Sequence, residues 1–180
     1  MKYNLLIFDF DGVLMDSNEL KQRTFNSIAE KYIKSPNSLK DFQHYLTENS
    51  AESRYLKLSY LKSLSINLCL EDLLIEFANK LDNEYKNCDN VLGILNDLDD
   101  WAICSAGRRQ EIEAILDYKN VSYKVANIYS DLNDKSSVLK KFSHQANCFL
   151  GDSYSDFSAA QVADIDFYFC SYWALSGEIE

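Results

Sequence analysis

The sequence predicts a three-layered α/β protein, a parallel sheet between helical layers, carrying a large all-helical insertion. Three observations lead there. Leu5 to Phe8 is an unbroken apolar run that ends in Asp9 and Asp11, as a strand buried on both faces does. Beyond about residue 89, short apolar runs alternate with stretches of helical spacing, which implies parallel strands joined by helices. Residues 16–88 show helical periodicity and no convincing strand, so an insertion separates the first strand from the rest of the sheet.

Taken in order, Leu5 to Phe8 is the first strand. Ser17 is placed to cap a helix from Asn18 to about Ile33, with Leu20, Ile28 and Ala29 facing inward. Pro36 and Asn37 end it. Phe42, Tyr45 and Leu46 have helical spacing, as do Tyr55, Leu58 and Leu61 to Leu64, and a further helix is expected over 71–85. Val91 to Leu98 reads as a short amphipathic helix. Trp101 to Cys104 is an apolar strand ending in Ser105-Ala106-Gly107, and Glu111 to Leu116 is helical. Tyr123 to Ile128 is the next candidate strand, and Lys135 opens a helix reaching about Phe142. Cys148 to Leu150 is a strand ending in Gly151-Asp152, Ser155 to Val162 is helical, and Ile165 to Phe169 is a last strand. Tyr172 and Trp173 are expected to cover the core.

Composition narrows the function. A chain of 180 residues, 47% hydrophobic and 26% charged, suits a globular core domain with a modest insertion. A net charge of -10 argues against nucleic acid as a partner, since phosphate backbones need basic patches. It leaves small phosphorylated ligands open, because a bound cation reverses the local field. The five cysteines are widely spaced with no CxxC, which points to a reduced, cytoplasmic protein. No signal peptide is visible, and no run approaches the ~20 apolar residues of a membrane span.

The chemistry concentrates at strand ends. Residues two apart in an extended strand point the same way, so Asp9 and Asp11 face one side at the carboxyl edge, where open α/β sheets bind ligands. Two carboxylates so close to an apolar strand are unfavourable without a cation, and a hard divalent ion such as Mg²⁺ is the simplest relief. Ser105, Lys135, Asp152 and Asp156 follow later strands. Each has a plainer reading: Ser105 as a helix cap, Lys135 as a solvated lysine, Asp156 as a helix-terminal charge. Arg54 could meet a substrate or simply be solvated. His44 and His144 belong to no recognisable motif.

In Asp9-Phe10-Asp11-Gly12-Val13, in Ser105 closing I-C-S-A-G, in Lys135 and in Gly151-Asp152-Ser153-Tyr154-Ser155-Asp156, the chain resembles the haloacid dehalogenase-like hydrolase superfamily. D-S-N-E-L and N-S-A-E-S-R-Y look like its helical-cap phosphatase branch, close to phosphoglycolate phosphatase and beta-phosphoglucomutase. The resemblance implies a Rossmann-like core, residues 1–15 and 89–180, and a helical cap, residues 16–88. It implies Mg²⁺ held by Asp9, the Asp11 backbone carbonyl and Asp152. Asp9 would be the nucleophile and Asp11 the general acid and base. Ser105, Ala106 and Lys135 would hold the phosphate, with Asp156 supporting a metal-bound water or Lys135. The implied activity is hydrolysis of a small phosphomonoester, such as a sugar phosphate, through an aspartyl-phosphate. A phosphosugar mutase would use the same intermediate. A receiver-type phospho-acceptor domain has its acceptor on a later strand and no helical insertion, and a dehalogenase does not use an aspartate at the Asp11 position.

Overall fold

The computed structural model describes residues 3–50, 52–65, 67–124, 127–143 and 147–175, so His144 lies outside the described residues. The chain forms two compact units, residues 1–18 with 86–180, and residues 19–85. The sequence boundaries, at 15/16 and 88/89, differ from these by three residues each.

The first unit holds a five-stranded parallel sheet in the order β3-β2-β1-β4-β5. The strands are β1 (Leu5–Phe8), β2 (Trp101–Cys104), β3 (Ile128–Tyr129), β4 (Asn147–Gly151) and β5 (Asp166–Phe169). β1 is central, with Ile7 opposite Ala102 on one side and Phe149 on the other. All four residues of β2 are buried, as a parallel strand covered on both faces requires. Side chains alternate, so Ile7, Ala102, Cys104 and Phe149 share one buried cluster. Against it pack Val138 and Leu139 of α6 (Ser136–Leu139) and Ala159, Ala160 and Ala163 of α7 (Tyr154–Ala163). The small alanine faces let α7 approach the strands closely. Helix α5 (Arg109–Tyr118) buries Ile112, Ile115 and Leu116.

Three local expectations change. The expected helix at 91–98 is a tighter 3₁₀ turn over Leu92–Asp97. Its two buried residues, Leu92 and Leu95, are three apart, the spacing that eclipses side chains in a three-residue turn. The strand expected over 123–128 shrinks to Ile128–Tyr129. Upstream, the Val121 amide bonds to the end of α5 and the Ser122 amide to the Asn96 side chain, so these donors are not available to β2. Tyr172 is 87% exposed and packs edge-on against Trp173, which is half-buried, so Tyr172 does not cover the core.

The second unit is built from the body of α1 (Asn18–Tyr32), with α2 (Pro36–Glu48), α3 (Arg54–Ser63) and α4 (Leu70–Tyr85). α1 already ends at Tyr32, and Pro36 and Asn37, expected to end it, instead form the first turn of α2 behind the Ser35 cap. Ser53 caps α3 in the same way. Leu20, Ile28 and Ala29 are buried as expected, joined by Phe25, Phe42, Leu46, Leu58, Leu61, Leu73, Phe77 and Leu81. The rings of Phe25 and Phe77 lie 4.4 Å apart, and the Arg54 guanidinium sits over Phe77 at 4.3 Å. Arg54 is therefore a stacking residue of this unit rather than a freely solvated charge.

Candidate active site

The chain runs outward from β1 through β2 to β3, then returns to the other flank of β1 with β4 and β5. The carboxyl ends of β1 and β4 thus meet at a topological switch point, where such sheets open a crevice. Asp9 directly follows β1, Ser105 follows β2 and Asp152 follows β4. The Asp9 amide donates to Leu150 O at 2.9 Å and its Oδ1 accepts from the Phe10 amide at 2.7 Å, so this carboxylate is fixed by backbone.

Asp9, Asp152 and Asp156 are all buried, and carboxylate oxygens from the three lie within 4.8 Å of one another. Lys135 Nζ lies 2.6 Å from Asp9 Oδ2 and 2.6 Å from Asp156 Oδ1. The other Asp156 oxygen accepts from Ser153 Oγ at 2.6 Å. The fold makes room for this with Gly151, where a Cβ would lie 2.4 Å from the Asp156 Cβ. Lys135 and Asp156 are therefore neither freely solvated nor merely helix-terminal: the half-buried ammonium bridges the buried carboxylates of Asp156 and Asp9.

Asp11 is half-buried and accepts a 2.6 Å hydrogen bond from Ser17 Oγ. The hydroxyl expected to cap α1 thus donates to the second aspartate of the motif. A Cβ on Gly107 would lie 3.4 Å from Asp11 Oδ2 and 3.2 Å from Ser105 Oγ, so the β2 turn and Asp11 adjoin. Ser105 is buried, and its Oγ accepts from the Gly107 amide at 3.0 Å, shaping the turn rather than capping α5, whose cap residue is Arg108. Ala106 is exposed at the tip of that turn. Gly12 has φ +78°, and a Cβ there would lie 2.0 Å from Asp152 Oδ2. Only glycine admits the Asp152 carboxylate so close to the first loop.

Charge in this pocket is out of balance. Burial pushes the Asp9 carboxyl up to about 6, with Asp156 and Asp11 adding to the rise and Lys135 opposing it. Asp152 rises to about 7 through burial and the nearby Asp9 and Asp156, against the Asn18 and Lys135 contacts. Burial works to lower Lys135, but Asp9 and Asp156 outweigh it and hold the ammonium well above the ordinary lysine range. One ammonium facing three buried carboxylates leaves excess negative charge, and all the donors are hard oxygens. Those are the terms on which a site accepts Mg²⁺.

Sequence reasoning assigned no role to Asn18 and Ser153, and gave Ser17 only that of a helix cap. Asn18 Nδ2 donates to Asp152 Oδ2 at 2.6 Å. Each lies within three residues of a motif aspartate or in the D-S-N-E-L stretch, so proximity in sequence was the available signal.

A five-stranded parallel sheet flanked by helices, with acidic residues at the carboxyl ends of its central strands, defines a Rossmann-like hydrolase fold. The profile of haloacid dehalogenase-like hydrolases matches residues 6–170, and the chain belongs to that family. Among solved structures it is similar to a candidate phosphoglycolate phosphatase from Lactobacillus plantarum, at 21% identity over 96% of this chain and 88% of that one, with a TM-score of 0.63. A candidate beta-phosphoglucomutase from Thermotoga maritima is 18% identical over 92% of this chain and 84% of that one, TM-score 0.59. CbbY from Rhodobacter sphaeroides, solved with phosphate, is 12% identical over 98% of this chain and 90% of that one, TM-score 0.69. No curated protein matches the sequence.

Proposed function

We propose that this enzyme is a Mg²⁺-dependent phosphatase that hydrolyses a small phosphomonoester through an aspartyl-phosphate on Asp9. The supporting observation is the buried group of Asp9, Asp152, Asp156 and Lys135 beside Asp11 and Ser105 at the switch point of the sheet. Asp9, Asp152 and the Asp11 carbonyl would hold Mg²⁺, which would supply positive charge against the phosphoryl oxygens.

In the first step an Asp9 carboxylate oxygen attacks phosphorus, and the bond from phosphorus to the ester oxygen breaks. Asp11 gives its proton to that oxygen, and a neutral alcohol leaves. In the second step Asp11 takes a proton from water, the water oxygen attacks phosphorus, and the Asp9–phosphorus bond breaks. Inorganic phosphate leaves and both aspartates return to their starting states. Lys135 offers ammonium charge to the phosphoryl oxygens, and Ser105 and Ala106 offer the donors of their turn. Asp156 holds Lys135 in place for this task. The negative chain and its free cysteines suit a metabolite substrate in a reducing cytoplasm.

The test is a panel of sugar phosphates and other small phosphomonoesters, assayed in parallel for free phosphate and for isomerised product. Phosphate release that needs Mg²⁺ and is lost in Asp9→Asn supports the proposal. Isomerised product without phosphate release, or Asp9→Asn activity within tenfold of the parent, a barrier change of only ~1.4 kcal/mol, overturns it.

A further inference from the structure

The geometry points to Asn18 as a positioning residue for the metal carboxylate Asp152, an inference that rests on the metal site proposed above. Asn18 Nδ2 donates to Asp152 Oδ2 at 2.6 Å and lies 3.3 Å from the Trp173 backbone carbonyl. Its one amide group therefore bridges a ligand carboxylate and the segment that follows β5. Gly12 stands beside this contact, where a Cβ would fall 2.0 Å from Asp152 Oδ2 and 2.3 Å from Asn18 Nδ2. Asp152 Oδ2 is thus held by the Asn18 donor, and the contact fits because the first loop carries no side chain at position 12. A carboxylate with one oxygen tethered cannot rotate freely about its last torsion, so the orientation it presents to a cation is set before the cation arrives.

The donor chemistry is suited to this task. A neutral amide favours the ionised carboxylate through a hydrogen bond but brings no positive charge that would compete with a cation. A lysine or arginine at position 18 would hold Asp152 equally well and repel Mg²⁺. Lys135, the cation within the cluster, has its contacts with Asp9 and Asp156 instead. The sequence thus divides the carboxylates between an ammonium partner and an amide partner.

The experiment measures binding of Mn²⁺, a spin-active stand-in for Mg²⁺, to the full chain without substrate by electron paramagnetic resonance. Asn18→Leu keeps the shape without the donor, and Asn18→Ala removes both. Because Asn18 is half-buried, thermal melts check that each variant is folded. Both variants are expected to lose roughly tenfold in Mn²⁺ affinity, within the range for removing a partner of a ligand. Turnover should fall at low Mg²⁺ and recover at saturating Mg²⁺, because no reacting group is touched. Affinity within twofold of the parent in a folded variant overturns the role of Asn18 while leaving the metal site intact, provided that Asp152→Asn abolishes binding. A parent that binds no Mn²⁺ overturns the metal site, and the role of Asn18 with it.

Discussion

Asp9 and Asp11 share a motif but stand in different surroundings. Asp9 is buried against Lys135, while Asp11 is half-buried and accepts from the Ser17 hydroxyl. In the proposed mechanism Asp11 gives a proton in one step and takes one in the next. Asp11→Asn keeps the shape but cannot exchange that proton. Its first step should slow strongly for alkyl phosphates and much less for aryl phosphates in single-turnover measurements. Equal losses for both substrate types would falsify the acid role. Lys57, in the helical unit, carries a separate prediction. Burial, aided by the nearby Lys21 charge, lowers its ammonium to about 8. Its described contacts are the Ser50 carbonyl at 2.7 Å and the Phe25 ring. The folded pKa is below the unfolded value, so between about pH 8 and 10.5 the unfolded chain holds more protons and stability rises with pH. Below that window the penalty is fully present. Lys57→Met should therefore stabilise the protein at pH 7 by about 1–2 kcal/mol, and the gain should vanish near pH 10.5. Urea unfolding of parent and variant at the two pH values checks this, and a gain that persists at high pH contradicts it.

At the scale of elements, the junction of β4 and α7 joins backbone geometry to chemistry. Ser153 caps α7 by accepting from the Asp156 amide, and its hydroxyl also lies against the Asp156 carboxylate. Gly151, one residue before Asp152, leaves the space that Asp156 fills. Gly151→Ala should cost roughly 1–3 kcal/mol through overpacking, and it should reduce turnover by displacing Asp156 from Lys135. Gly93→Ala is the control, since a Cβ there meets nothing within 4 Å and should be close to neutral. Chemical denaturation of both variants measures the contrast; equal costs would show that the Gly151 contact is not what matters. This junction also shows what the sequence made legible. G-D-x-x-x-D placed Asp152 and Asp156 on one loop and helix start, because a fixed local spacing fixes local geometry. The pairing of Lys135 with Asp156 was visible only as one of two options, since it joins residues on different elements. The strands β1, β2 and β4 were legible because unbroken apolar runs leave few alternatives. β3 was not, because Tyr123 and Lys124 alternate as a strand would while backbone donors just before them bond to α5 and Asn96.

For the whole molecule, with a charge of -10 and several carboxylates in one pocket, the Mg²⁺ proposed above would also act as a stability factor. Mg²⁺ at about 100 times its dissociation constant should stabilise the fold by about 2.7 kcal/mol. The shift should be visible as a higher melting temperature relative to chelator and absent in Asp152→Asn. An equal shift in that variant would place the stabilising ion elsewhere.

The central strand also sets a problem of assembly. β1 pairs with Trp101–Cys104 and Asn147–Gly151, so a strand made first on the ribosome waits for partners made much later. Closing a disordered loop of roughly 90 residues costs about 4 kcal/mol of chain entropy. The helical unit shortens that search. Its first and last turns meet where Lys21 Nζ lies 5.5 Å from the Tyr85 ring centroid, so once residues 19–85 have folded, their ends are already together. Refolding of the sheet should therefore depend on a core that is not part of it. Phe77→Ala, which empties the Phe25 contact, should slow the return of Trp101 fluorescence after dilution from urea, followed in a Trp173→Phe background. An unchanged refolding rate, with the helical unit measurably destabilised, would mean that the two halves of the sheet find each other without its help.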